Sequence, residues 1–510
     1  MKENPSSPIE IPSSEFKKMG YALVDQVADL FEQIRERPVT TGEDSKAIRN
    51  VLGTDSLPEN GAAPAEILGK ASDLLINHSL FNGHPKFMGY ITSSPAPLGA
   101  LADLLASAVN ANVGAQILSP VATQVEKQTI RWLSEFIGLS PDYGGILVSG
   151  GNMANFTGFL AGLTAKAGTA YREYGFSQKE HAQLVYCSKA THTWVEKAAI
   201  LFGLGSKAVK WIATDENNAI DVSALVKEIE ADLAAGHKPL MVIGTAGDVS
   251  TGALDDFSLL ASVAGKYDLW FHIDGAYGIP AAVLPELKVL FTGIEKADSL
   301  ALDPHKWLYS PLEAGCTLVK NPKHLTDTFS THPVYYNFSH GDTNPVHNFY
   351  EYGLQNSRGF RALKVWLVLQ QLGRRGYEEL IRKDIELSKY MYNCAEAHPE
   401  LQAMSQHLSI ATFRFVPGGA AENNELLNKL NEDLLNELQA GGELFLSNAV
   451  IRGCYSLRAC IVNFRTTEKD IDEMMSIILK RGRALFANMQ AAGSALPAGQ
   501  AGQQPAGITR

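Results

Sequence analysis

Cysteine is scarce in this chain of 510 residues. There are five (Cys187, Cys316, Cys394, Cys454 and Cys460), odd in number and widely spread, with no Cys-x-x-Cys pair. That argues against a disulfide framework and a cysteine metal centre, so no metal is expected and the thiols read as reduced ones in a cytoplasmic protein. No apolar run approaches the ~20 residues that cross a bilayer. The start, Met-Lys-Glu-Asn-Pro-Ser-Ser-Pro, lacks the apolar core of a signal peptide. Basic clusters are missing too: 44 Lys and Arg face 55 Asp and Glu, a formal net charge of −11. That balance argues against nucleic acid and anionic membrane surfaces as partners. No internal repeat is evident.

What the chain does have is enough apolar material, 45% of its residues, for a large core. Its length suggests roughly two to four domains at ~100–200 residues each. Phe16, Met19, Leu23, Val27, Leu30, Phe31 and Ile34 follow the spacing of one helix face. That helix precedes any sheet, so its stripe must find cover elsewhere in the molecule or on a second subunit. Ser119 and Pro120 read as the cap and first position of a helix through about Ile137. Strand-like runs at 145–149, 184–188, 208–213, 239–244, 268–273, 298–303 and 314–320 then alternate with helical stretches. Such alternation predicts an α/β fold with a mostly parallel, seven-stranded sheet. After a long helix near 360–373 a smaller C-terminal α+β domain is expected, with strands at 408–416 and 455–464. The expected divisions are a helical segment 1–85, a large domain 86–373, a small domain 374–490 and a disordered Ala/Gly/Gln/Pro tail 491–510.

The chemistry concentrates at strand ends. Leu-Trp-Phe-His-Ile-Asp-Gly-Ala-Tyr-Gly (269–278) and Asp-Ser-Leu-Ala-Leu-Asp-Pro-His-Lys-Trp (298–307) are apolar stretches that stop at ionisable residues. Ligands of open α/β sheets collect at the carboxyl ends of strands, where Asp274 and Lys306 would lie. A lysine able to form a Schiff base, with a buried carboxylate for a pyridinium nitrogen, is the kit for pyridoxal 5'-phosphate, PLP. Upstream, Gly-Ile-Leu-Val-Ser-Gly-Gly-Asn-Met-Ala-Asn (145–155) runs from strand into helix through Gly150 and Gly151. Helix N-termini offer unpaired N–H groups and partial positive charge, so this turn can hold a phosphate. A glycine pair is ordinary turn chemistry on its own; the downstream Asp and Lys give it weight. His192, after the strand Leu-Val-Tyr-Cys-Ser, falls where an aromatic ring could stack on the cofactor.

Together Ser-Gly-Gly-Asn-Met-Ala-Asn (149–155), Thr-His-Thr-Trp-Val-Glu-Lys-Ala (191–198), His-Ile-Asp-Gly-Ala-Tyr (272–277) and Asp-Pro-His-Lys-Trp (303–307) resemble the group II PLP-dependent amino-acid decarboxylases. That family includes the aromatic-L-amino-acid, histidine and glutamate decarboxylases. The resemblance runs from about Phe16 to Arg465 and takes in His84-Pro85-Lys86-Phe87 and the segment 360–366. It implies PLP fold type I, the aspartate-aminotransferase type, and a homodimer with active sites at the interface, the first helical segment packing on the partner. Residue by residue, it implies Lys306 as the Schiff-base lysine and Asp274 on the pyridine nitrogen. His192 would stack on the ring with Ala276 opposite, and Gly150, Gly151, Asn152 and His305 would lie near the phosphate. Asp303 departs from the pattern: several relatives carry Asn there, and a carboxylate would repel a phosphate. It is therefore left out of the expected site.

The same resemblance implies loss of carbon dioxide from an L-amino acid, then protonation of the α-carbon by a tyrosine in the loop 330–342. Tyr335 of Pro333-Val334-Tyr335 matches that tyrosine; a one-residue shift would substitute Tyr336. Tyr90 and Thr245 are the expected substrate contacts. An aromatic substrate is favoured, although the segment 244–255 looks closer to the acidic-amino-acid decarboxylases. An aldehyde synthase, an aminotransferase and a PLP-binding protein without catalysis are the alternatives.

Overall fold

The computed structural model describes residues 7–53, 56–168, 171, 175, 182–331, 346–418 and 423–494. Helices α1 (Ser13–Gln33), α2 (Ser45–Leu52), α3 (Pro64–His78), α4 (Pro97–Val109) and α5 (Pro120–Phe136) precede the first strand. Proline opens α3, α4 and α5, where its missing N–H would have no partner in any case. Ser119 does not cap α5 as expected. Its hydroxyl donates backwards to the Asn112 carbonyl at 2.8 Å, pinning the preceding loop instead. The stripe of α1 is only partly covered: Ile34 is buried just beyond its end and Met19, Leu23, Val27, Leu30 and Phe31 are half-buried, whereas Phe16 is exposed.

A large α/β unit follows: β1 (Gly144–Val148), α6 (Gly151–Ala167), β2 (Gln183–Ser188), α7 (Trp194–Leu201), β3 (Val209–Ile212), α8 (Val222–Ala234), β4 (Lys238–Thr245), α9 (Phe257–Tyr267), β5 (Trp270–Asp274), β6 (Ser299–Leu302), β7 (Gly315–Val319) and α10 (Lys323–Phe329). The seven strands lie in the order β1-β7-β6-β5-β4-β2-β3. All run the same way except β7, which is antiparallel to both β1 and β6. Each expected strand of this sheet is present. Strands β4 to β7 are buried along almost their whole length, which is why they read as unbroken apolar runs.

Helix α11 (Ala362–Ala397) leads to a four-stranded antiparallel sheet of order β10-β11-β9-β8. Its elements are β8 (Leu401–His407), β9 (Ile410–Phe415), α12 (Asn424–Gly441), β10 (Ser447–Ile451), β11 (Cys454–Cys460) and α13 (Glu468–Ser494). Strands β9 and β11 are the two anticipated; β8 and β10 were not. Gly373 breaks α11 with φ 58° and ψ 180°, a conformation that costs other residues more than glycine. α13 runs to Ser494, into the segment expected to be disordered; the rest of that tail lies outside the described residues.

One polar clamp sits inside the core. Arg358 and Glu126 form an ion pair with 1% and 0% side-chain exposure. Arg358 Nη2 also donates to the Leu147 carbonyl at 2.5 Å and Nη1 to that of Val113 at 2.9 Å, while Glu126 Oε1 accepts the Leu147 N–H at 3.0 Å. The pair grips the end of β1, three residues before Gly150. Among the described residues no helix is long and apolar enough to cross a membrane, and no His/Cys/Asp/Glu cluster is arranged to hold a metal ion.

Candidate active site

The carboxyl ends of the co-oriented strands converge on a cavity of about 400 Å³. Strand β1 delivers Ser149 to Asn152, β4 Thr245, β5 Asp274 and Ala276, and the turn after β6 delivers Asp303, His305 and Lys306. His192 enters from the turn after β2. The expected cofactor-binding residues are thus brought together, as sheet topology dictates.

Asp274 is 6% exposed and fixed at both oxygens. Its Oδ2 accepts the indole N–H of Trp194 at 2.7 Å and its Oδ1 the backbone N–H of Ala276 at 3.2 Å. Behind it, fully buried His272 lies within hydrogen-bond distance of Asn155 Oδ1 (2.8 Å) and Ser299 Oγ (2.7 Å). Burial lowers the His272 pKa to about 4, so its ring is neutral near pH 7.

The glycine turn is built for close approach. A Cβ on Gly151 would stand 2.6 Å from Asp303 Oδ2, and one on Gly150 would stand 3.1 Å from His305 Cε1. The first N–H groups of α6 have no helical partner, and its first residues, Gly151, Asn152 and Met153, line the cavity. His305 Nδ1 accepts the Ala314 N–H at 2.9 Å, which leaves the proton on Nε2 in the neutral ring. Desolvation pushes its pKa below the ordinary histidine value, against the pull of Asp303.

Lys306 Nζ stands 3.0 Å from Asp303 Oδ2, and Asp303 is 1% exposed. The carboxylate expected to disturb a phosphate thus forms an ion pair with the lysine. The turn that holds Lys306 is anchored from α11, beyond Gly373. There buried Asp384 accepts the Trp307 indole N–H at 2.9 Å and the Tyr309 hydroxyl. Burial pushes the Asp384 carboxyl up to about 7. His192 sits at the cavity rim, its Nδ1 accepting the Trp194 backbone N–H at 3.2 Å. Partial desolvation holds its pKa below the usual histidine value.

Thr245 lines the cavity, with its hydroxyl 2.9 Å from that of Thr191. Tyr90 does not: it is 63% exposed with φ 52°, and the next residue, Ile91, lines the cavity in its place. The left-handed backbone at Tyr90 turns the chain there. Tyr335 and Tyr336 lie outside the described residues. Two residues escaped the sequence reading. Trp194 stood within the segment 191–198 but was given no role of its own. Arg458 sits in an apolar strand, 2% exposed; its Nη1 donates to the Tyr90 carbonyl and Ser447 Oγ, both at 2.9 Å, while Nε and Nη2 have no hydrogen-bond partner among the described residues. An arginine inside an apolar run was the signal available.

These residues fit PLP. Helix-terminal N–H groups and a ring N–H suit a phosphate, an amine suits an aldehyde, and a buried carboxylate with acceptor capacity to spare suits a pyridinium. All of these groups line the same cavity of about 400 Å³.

Comparison with known proteins agrees. Residues 49–416 match the model of the pyridoxal-dependent decarboxylase conserved domain. The chain is 34% identical over 476 residues to the aromatic-L-amino-acid decarboxylase of Bacillus atrophaeus, covering 93% of this chain and 96% of that one. It is 27% identical over 482 residues to a phenylacetaldehyde synthase of a Rosa hybrid cultivar, covering 92% and 94%. Its fold is similar to that of an Oryza sativa structure described as TDC with PLP and tryptamine (TM-score 0.87, 24% identity, 94% and 99% covered).

Proposed function

Because the chain belongs to the pyridoxal-dependent decarboxylase family, and so is a PLP-dependent amino-acid carboxy-lyase, we propose that its substrate is an aromatic L-amino acid, released as the amine and carbon dioxide. The observation that carries this reading is the cavity wall. Ile91, Met153, Val249 and Tyr277 line it, and no arginine does so among the described residues. Such a wall receives an aromatic ring and gives a side-chain carboxylate no partner.

Bound there, PLP supplies an electron sink for the bond that breaks at the substrate's α-carbon. Lys306 supplies the amine for covalent attachment, and Asp303 holds that amine at the cavity end. Asp274 keeps a proton on the pyridine nitrogen. His192 and Ala276 cover the two ring faces and keep water off them. Gly150, Gly151, Asn152 and His305 take the phosphate. Tyr335 returns a proton to the α-carbon, which separates amine formation from aldehyde formation.

The apolar side chains Leu101, Leu104, Leu105 and Val109 of α4, with Phe16 and Tyr21 of α1, are more than half exposed. They support a homodimer in which a second copy covers these faces. Incubating the PLP-loaded protein with each proteinogenic amino acid, and measuring carbon dioxide, amine and aldehyde, decides the substrate. Preference for aspartate or glutamate over phenylalanine, tyrosine and tryptophan would overturn the aromatic assignment.

A further inference from the structure

Trp194 touches both groups assigned to the cofactor ring. Its indole N–H donates to Asp274 Oδ2 at 2.7 Å, and its backbone N–H donates to His192 Nδ1 at 3.2 Å. The side chain is 1% exposed and boxed in by rings. Phe159 meets it edge-on at 6.0 Å and 90°, and His272 at 5.6 Å and 77°. It has no freedom to drift, so neither has the oxygen it holds.

We propose that Trp194 is a positioning residue for the cofactor, setting the orientation of the Asp274 carboxylate through its side chain and of the His192 ring through its backbone. The inference rests on the assignment of Asp274 and His192 to the cofactor ring. The choice of indole has a physical reason. Indole is a donor only and carries no charge. It fixes one oxygen without neutralising the carboxylate, so the negative charge stays available to a pyridinium. An arginine or lysine there would fix the oxygen and cancel that charge. Without the donor, Asp274 Oδ2 is left buried and unpaired, which penalises the ionised form the cofactor needs.

Trp194→Phe removes the indole N–H but keeps the backbone N–H to His192, so it isolates the Asp274 arm. The measurement is equilibrium titration of cofactor-free protein with PLP, followed by the circular dichroism of the bound cofactor. Trp270→Phe is the matched control: Trp270 is a buried indole of the same core, but it donates to Ser299 Oγ at 2.8 Å. Trp194→Phe should weaken PLP binding about tenfold or more and change the dichroism, as loss of a hydrogen bond to a charged group implies. Trp270→Phe should stay within about twofold of the parent. In the Asp274→Ala background, Trp194→Phe should add nothing further, because the group it positions is gone. Full additivity there, or parental affinity in Trp194→Phe alone, would show that the tryptophan only fills space. Unchanged affinity in Asp274→Ala would instead remove the assignment of Asp274, and with it this inference. Trp194→Leu, which also lacks the donor, gives the same comparison if the phenylalanine variant does not fold.

Discussion

Glu126→Gln is the perturbation whose size follows most directly from the geometry. Glu126 and Arg358 are both sealed from solvent, and Glu126 is the only carboxylate among the hydrogen-bond and ion-pair partners of the guanidinium in the described residues. The remaining contacts of the guanidinium in the described residues are the Val113 and Leu147 carbonyls and the face of Phe349, 4.9 Å away. Glutamine preserves the shape and one acceptor but leaves a buried cation uncompensated, which costs about 3–5 kcal/mol. Unfolding entropy of about 2.1 cal/mol/K per residue over this length amounts to about 1 kcal/mol/K, so the midpoint should fall by about 3–5 °C. The assay is thermal unfolding of the cofactor-free protein, to keep ligand linkage out of the comparison. The double variant Glu126→Leu with Arg358→Met removes both charges and should recover most of the loss. PLP affinity should also drop in Glu126→Gln, because Leu147 belongs to the strand that presents Gly150 and Gly151. A midpoint within about 1 °C of the parent, or a double variant worse than the single one, would refute the account of an uncompensated buried charge.

Lys306→Ala should abolish both turnover and the visible absorbance of lysine-bound cofactor; absorbance retained with normal activity would move the attachment elsewhere. Tyr335→Phe should keep carbon dioxide release and shift the product from amine toward aldehyde, ammonia and peroxide, while Tyr336→Phe changes little. If the two variants swap behaviours, the register is off by one, and if neither diverts product, the proton donor lies outside this loop. His272 has a folded pKa lowered to about 4 from an ordinary 6.5, so its contribution to stability is present above pH 6.5 and is lost as pH falls toward 4. Between pH 7 and 4 the parent should therefore lose roughly 3 kcal/mol more than His272→Gln, measured by denaturant unfolding. A parallel decline in both proteins would sink that prediction. The comparison cancels Asp255 and Asp384, whose pKa values are raised to about 7 and whose contributions are lost as pH rises instead.

Legibility from sequence followed burial. The strands of the large sheet are covered along their length, so each is an apolar run, and the residues that end those runs are the cavity residues. Strands β8 and β10 are edges of the small sheet with alternating or partial exposure, and so leave no apolar run to find. α13 outran its expected end because the residues just past 490 are alanine-rich, and alanine favours helix. Tyr90 was expected at the cavity from its likeness to relatives, whereas Ile91 lines it and Tyr90 has a positive φ that no composition rule signals. Trp194 was hidden for the opposite reason. Its ring serves the core and only its N–H serves the site, and a sequence shows the ring first.

The antiparallel strand β7 imposes an order of assembly on the cavity. In the sheet β1 has β7 as its one neighbour, so the strand that presents the glycine turn has no ladder to join until β7 exists. β1 ends at Val148 and β7 begins at Gly315, which separates their emergence during synthesis by roughly 10–30 s at about 5–20 residues per second. Lys306 reaches the nascent chain before its phosphate cradle can be fixed, and Arg358, which locks Leu147 in place, comes later still. A growing polypeptide thus carries a reactive amine with no seat for the cofactor. Capture of PLP belongs to the finished molecule, and fragments that stop short of Gly315 would keep the motif without the pocket.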